Sequence, residues 1–259
     1  NQTYKNIEII IVNDGNNKDD KQEIYKIVNN FKKKILVINL KKNQGVSNAL
    51  NEGIKKSTGS YLSWLSHDDY FHIKKIEMQI NYLEKRCAKI CSCDFVEINK
   101  IDNYKIDRIL DDKYFDDQVL SIILNDSLHG CSLLIHKDCF DDFSFNKKYK
   151  HIQDYDIWNR MSEKYQFVHL KKKLLYSNKH VSQSSYIKKD ESISEKLKFY
   201  ESLIDEKLLF YNFNRFGYVF KFIYRSILIY KSPALATAVL KKFLFYNLYN
   251  YFRLYIKRN

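Results

Sequence analysis

The chain has 259 residues, a net charge of +13, 15% aromatic residues, one proline and six glycines, enough text for one α/β domain with an appendage. A basic excess of this size points to a polyanion, a phosphorylated small molecule or an anionic surface. The five cysteines form no paired C-x-x-C set, and no apolar run reaches the ~18 residues that span a bilayer, which argues against a zinc module and a transmembrane anchor.

Ile7 to Val12 is rich in β-branched residues and predicts a strand ending in Asn13-Asp14-Gly15. It reads as an interior strand, so a first strand and helix are expected to be missing from the text before it. Ile24, Ile27, Val28 and Phe31 recur at helical spacing, and Ile35 to Leu40 predicts a second strand. Lys41 to Gly45 is a turn, Val46 to Ile54 a helix, and Tyr61 to Leu65 a third strand. This alternation argues a mixed, mostly parallel sheet with helices on both faces. Ligands of such sheets sit at the carboxyl ends of the strands, where Asp14, Asn43 and Asp68 fall.

The stretch Leu65 to Phe71, L-S-H-D-D-Y-F, places two adjacent carboxylates, Asp68 and Asp69, at a strand end. Such a pair needs a cation or hydrogen-bond donors, so it either holds a hard divalent ion with its diphosphate or caps the next helix. Ile73 to Leu83 is that helix, and Ala88 to Ile98 a fourth strand. Residues 99–117 turn polar and read as a loop or helix–loop insertion over the site. Phe115 to Leu124 predicts a helix, Cys131 to Ile135 a strand after His129-Gly130, and 141–152 a polar loop.

Asp154 to Ser162 predicts a short helix opening on Q-D-Y-D-I-W, and a carboxylate at its start suits a general base toward a hydroxyl. Asp156 is two positions on and suits a sugar or structural contact; Trp158 can stack on a sugar, whereas Trp64, inside a strand, suits the core. Phe167 to Leu170 and Leu174 to Tyr176 predict two short strands.

From residue 188 the text becomes long helical, then aromatic and basic, with Lys221, Arg225, Lys231, Arg253 and Lys257 among Phe, Tyr and Leu, and Pro233 opening the last helix. Two readings stand for this extension: helices at an anionic membrane surface, or helices packed on the main domain or a partner such as a second copy. The expected domains are 1–187 and 188–259. The aromatics lie at core spacing with no recognition motif, so nucleic acid is not expected as a partner.

Five segments together resemble the inverting nucleotide-sugar glycosyltransferases of family 2, with the GT-A fold. They are N-Q-T-Y-K-N-I-E-I-I-I-V-N-D-G at 1–15, N-Q-G-V-S-N-A-L-N-E-G at 43–53, G-S-Y-L-S-W-L-S-H-D-D at 59–69, H-G at 129–130 and Q-D-Y-D-I-W at 153–158. The resemblance spans roughly residues 1 to 185. It implies that Asp14 reads the nucleotide base, that Asn43 and Gly45 begin the nucleotide-proximal turn, and that Ser66 and Asp68 fall on the acids of the D-x-D motif. Asp69 then joins the donor site, Asp154 is the catalytic base, and His129 belongs to the sugar or acceptor contacts. His180, with Ser182 and Ser184, resembles a late histidine that approaches the metal or diphosphate, so Asp68 and His180 are the implied ligands of Mn²⁺ or Mg²⁺.

The departures are Ser66 for an acid, Asn48 where arginine is common, and Gln153 where glutamate is usual. The implied donor is a UDP-sugar and the implied acceptor a glycan or lipid-linked glycan of capsule or lipopolysaccharide synthesis. Work at the inner face of the plasma membrane, in the cytoplasm, follows from the same resemblance. The alternatives are a nucleotidyltransferase and a non-catalytic glycan- or polyanion-binding module.

Overall fold

The computed structural model describes residues 1–15, 18–31, 35–110, 128–181 and 188–207, with a few positions between 233 and 244. The expected helix at 115–124, residues 182 and 184, and nearly all of the basic tail lie outside the described residues. Contacts divide the chain into Asn1–Ile187 and Lys188–Asn259.

In the first unit, β1 (Ile9–Asn13) pairs in parallel with β2 (Ile35–Asn39), in the register Ile9 to Ile35 through Asn13 to Asn39. An amide hydrogen bond from Asn13 Nδ2 to Asn39 Oδ1, 2.9 Å, closes the carboxyl ends of this pair. Between them runs α1 (Lys18–Asn29), with Asp19 and Asp20 in its first turn and Lys26 in its last, each matching the sign of the helix dipole. The next helix is α2 (Val46–Lys56).

The second sheet contains β3 (Tyr61–Leu62), β4 (Tyr70–Phe71), β5 (Ile90–Asn99), β6 (Tyr104–Arg108), β7 (Leu134–His136) and β8 (Phe167–Lys179), ordered β3-β7-β5-β8-β4 with β6 on β5. The β5–β8 pair is parallel, and the β3–β7, β5–β7, β5–β6 and β4–β8 pairs are antiparallel. Helix α3 (Lys75–Arg86) ends at Cys87, a left-handed residue with φ 50° whose N–H returns to Glu84 O. Two further helices are α4 (Cys139–Asp142) and α5 (Gln153–Ser162).

Alternation along the strands divides the core into two faces. Ile90, Leu133, Ile135 and Phe167 pack with Ile157, Trp158 and Met161 of α5. Their neighbours Cys91, Leu134 and Val168 pack with Ile80 and Leu83 of α3. Strands buried on both faces carry near-continuous apolar text, as Ile90–Cys91 and Leu133–Ile135 do.

Several boundaries differ from the sequence reading. The third strand stops at Leu62, because Ser63 turns its hydroxyl onto Leu133 O (2.7 Å) and the chain leaves the ladder. The 99–117 segment is not all loop: Asn99 Oδ1 accepts the N–H groups of Ile101 and Asp102, turning the chain into β6. The two short strands after α5 are one, β8, whose register against β5 shifts at Asp94. In the second unit, α6 (Lys189–Lys207) carries buried Phe199 and Tyr200. Among the described residues no helix is long and apolar enough to cross a membrane.

Candidate active site

Asp14, Asn43 and Gly45 meet beyond the carboxyl end of β1. Asp14 accepts the N–H of Gln44 on Oδ1 and that of Gly45 on Oδ2, each at 2.8 Å, and Asn43 Oδ1 also accepts from Gly45 at 3.1 Å. Gly15 has φ 82°, and a Cβ there would stand 2.2 Å from Asn43 N, so only glycine lets the two turns meet. Helix α2 leaves this turn and is tied to the 145–149 segment by Ser47 Oγ on the carbonyls of Asn146 and Tyr149. Asn51 completes that seam by exchanging two 2.9 Å hydrogen bonds with the Phe145 backbone.

The acidic loop is stapled to the end of β8. His180 Nε2 and Asp68 Oδ2 are 3.1 Å apart, and Asn178 Nδ2 donates to Asp68 O. The two predicted metal ligands therefore stand side by side. Asp69 turns the other way: it is buried, accepts Asn178 N at 3.0 Å, and has Oδ2 3.7 Å from His129 Nε2. This departs from its expected place among donor contacts: one carboxylate oxygen accepts from the β8 backbone and the other faces His129.

His129 is likewise a framework residue. Its Nδ1 accepts Cys131 N–H at 3.2 Å, and Nε2 lies 3.1 Å from Ser177 Oγ. Burial holds the imidazole below its usual range, against the pull of Asp69, Asp68 and Glu97. Asp69, His129 and Cys131 offer ligand atoms within 4.8 Å of one another. Burial pushes the Cys131 thiol up to about 12, however, and Ser66 N and Oγ already contact its sulfur at 3.3 and 3.4 Å. A soft sulfur donor already contacted by Ser66 does not suit a hard ion; a carboxylate beside an imidazole, as in Asp68 and His180, suits Mn²⁺ better.

Asp154 opens α5; the residue is partly buried, and its Oδ1 is shut away from solvent. Burial alone pushes its carboxyl from 3.8 up to about 7. Asp154 Oδ1, Gln153 Oε1 and Trp158 Nε1 have no hydrogen-bond partner among the described residues. A Cβ on Gly130 would lie 2.7 Å from Asp154 Oδ2 and 2.8 Å from Trp64 Nε1, so the absence of a side chain at 130 is what lets this segment pass the acid and the indole. Cys131, the next residue, feels both Asp69 and Asp154. Asp154 and the acidic loop thus converge on the segment 129–131.

Two expected sugar contacts are corrected. Trp158 is 1% exposed, so neither face of its ring is open to a sugar. Asp156 is paired with Arg160 Nε at 3.1 Å, and that guanidinium reaches on to Ser144 O at 2.8 Å, which fixes the loop before α5. Trp64 is a core residue, edge-on to Phe145 with ring centres 5.5 Å apart. Ser177, Asn178, Lys75 and Gln79 were not singled out from sequence; only the i, i+4 spacing of Lys75 and Gln79 with buried Leu83 hinted that a polar stripe of α3 faces inward.

Residues 1–144 match the family model "Glycosyl transferase family 2". An uncharacterized glycosyltransferase of Rickettsia prowazekii is 40% identical over 164 residues, 61% of this chain and 50% of that protein. Glycosyltransferase GlyA of Streptococcus pneumoniae is 32% identical over 115 residues, 44% of this chain and 16% of that protein. The chain spans about half the length of the Rickettsia prowazekii relative. S. aureus TarS residues 1–349, solved with UDP-GlcNAc, superposes with a TM-score of 0.60 at 16% identity, covering 87% of this chain and 66% of that one. The same TarS fragment with UDP gives 0.56 at 13% identity over 95% and 81%. With more than half of its length matched by the family model and its fold shared with the TarS structures, the chain belongs to glycosyl transferase family 2 and has the GT-A fold.

Proposed function

We propose that the protein is an inverting transferase that moves a sugar from a UDP-sugar to a hydroxyl of a glycan acceptor, with Asp154 as general base. The observation that carries this reading is Asp154 itself: a carboxyl raised to about 7, with one oxygen shielded from solvent and unpartnered among the described residues, beside the segment on which the Asp68 loop packs. A base with that affinity for protons is ionised in a useful fraction at neutral pH and still takes a proton readily. The acceptor hydroxyl gives its proton to Asp154 as its oxygen bonds to the anomeric carbon, the bond to the diphosphate breaks on the opposite face, and configuration inverts. Gln153 is neutral, so no like charge beside Asp154 adds to the effect of burial.

Asp14 fixes the turn at 43–45 and keeps lone pairs to accept from a uracil N–H. Asp68 and His180 would hold the divalent ion, which would offset charge on the departing nucleoside diphosphate. The glycosyltransferase relatives support the reaction class, and TarS solved with UDP-GlcNAc supports the donor class. The basic, aromatic composition of 188–259 supports a lipid-linked surface glycan as acceptor, with work at an anionic membrane surface.

A screen of UDP- and GDP-sugars for Mn²⁺-stimulated hydrolysis or transfer tests this reading, run on the wild type and on folded Asp154→Asn and Asp68→Ala proteins. Asp154→Asn is expected to lose transfer by about 10² to 10⁴-fold, and Asp68→Ala to lose the stimulation by Mn²⁺. Transfer surviving both changes would overturn the assignment.

A further inference from the structure

Lys75 is fully buried at the start of α3. Its Nζ donates to Ser63 Oγ at 3.0 Å and Leu133 O at 3.3 Å, and stands 4.2 Å from the centre of the Phe71 ring. Ser63 Oγ itself donates to Leu133 O at 2.7 Å, so the ammonium, the hydroxyl and the carbonyl close a triangle. No acidic side chain among the described residues pairs with Lys75, and the titratable groups facing it are the thiols of Cys91, Cys93 and Cys131. Burying an ammonium without a carboxylate is costly, and a methionine would fill the same space without that cost.

What the ammonium touches accounts for its presence. Ser63 and Phe71 are the two ends of the segment that carries Ser66, Asp68 and Asp69. Leu133 follows directly on the segment that carries His129, Gly130 and Cys131. One turn further along α3, Gln79 Nε2 donates to Ser132 O at 2.9 Å and Cys91 O at 3.1 Å, so the same helix face grips two successive carbonyls. Asp154 Oδ2 lies against Gly130 and the Asp68–His180 pair belongs to the 63–71 segment. A single side chain behind the site therefore ties the acid loop to the wall of the base.

We infer that Lys75 is a positioning residue that fixes the 63–71 loop relative to the 130–133 segment, and through them the nucleotide-diphosphate site relative to Asp154. Its bearing on donor binding rests on the transferase reading; its grip on the two segments does not. Burial holds the ammonium down to about 8, so it still carries its charge at neutral pH.

The test uses the full chain with Lys75→Met, which keeps the stem and removes the ammonium. Amide hydrogen exchange is expected to quicken about tenfold in peptides covering 63–71 and 130–133, with β1, β2 and α5 unchanged. The dissociation constant for UDP with Mn²⁺, read by calorimetry, is expected to rise about tenfold while the protein stays folded. If Lys75→Met does not fold, Ser63→Ala removes one corner of the triangle and is expected to show the same two-segment pattern at smaller amplitude. A folded Lys75→Met with wild-type exchange in both segments, or with exchange raised evenly across 1–187, would overturn the inference. A wild type that binds no UDP would refute the donor class, and the exchange pattern would still decide the role of Lys75.

Discussion

Replacing Asp154 by asparagine makes a prediction about stability as well as about activity. An aspartate carboxyl held at about 7 rather than 3.8 binds its proton more tightly in the folded chain than in the unfolded one. Folding is therefore favoured below the unfolded value and loses stability as pH rises through the interval, up to the folded value. At 1.36 kcal/mol for each tenfold change in the proton equilibrium, the full cost above neutrality is about 4 kcal/mol, an upper figure because the site relaxes. Asparagine has the same shape and no charge to desolvate. Relative to wild type, Asp154→Asn is expected to gain stability steadily between about pH 4 and pH 7 and hold that gain above. For a domain of this size each kcal/mol moves Tm by roughly 2 to 4 °C. Urea or thermal unfolding at a series of pH values, both proteins side by side, reads the difference. Any loss from amide packing is independent of pH, so the slope carries the test. A difference between the two proteins that stays flat with pH would refute the burial argument.

Gly130→Ala is expected to push Asp154 or Trp64 aside, with a cost of about 1 to 3 kcal/mol and a loss of transfer larger than the loss of UDP affinity; separate measurement of kcat and nucleotide binding checks it. Trp158→Ala is expected to cost about 3 to 5 kcal/mol in chemical denaturation, because the ring is core and not a sugar platform. Gly15→Ala, at φ 82° and against Asn43 N, is expected to disturb the turn that Asp14 holds and so weaken UDP binding while leaving the α5 end of the unit intact; calorimetry and local hydrogen exchange separate the two ends.

Much of the site was legible because strand ends and turn residues are local features. Asn13-Asp14-Gly15 and Asn43-Gln44-Gly45 carry their own turn chemistry, and the parallel pairing of β1 with β2 brings them together. Asp68 and His180 lie more than a hundred residues apart, and only the family resemblance linked them; β8 now supplies the physical connection. The direction in which a side chain points was less accessible. Adjacent Asp68 and Asp69 read alike in sequence, yet one meets His180 and the other is turned inward by the Asn178 N–H. Asp156 and Trp158 sit beside Asp154 in the text, but α5 packs Ile157, Trp158 and Met161 into the core and leaves Asp156 to Arg160.

Charge also masked two strands. Lys171–Lys173 interrupt the apolar text of β8 because they are exposed next to its register shift, so one strand read as two. In β6 most residues are exposed, which removes the alternation that marks a half-buried strand. Lys75 was hidden for the opposite reason: lysine is counted as surface by default, and nothing in K-K-I-E separates the buried lysine from its exposed neighbour Lys74.

The dependence of transfer rate on pH tests the central claim most directly, measured from a UDP-sugar with Mn²⁺ present for wild type and a folded Asp154→Asn protein. The wild-type rate is expected to climb as pH rises to about 7, where the Asp154 carboxyl ionises, and then to level, with the variant near background throughout. A wild-type rate indifferent to pH across that range, or a variant that transfers sugar at the wild-type rate, would contradict it.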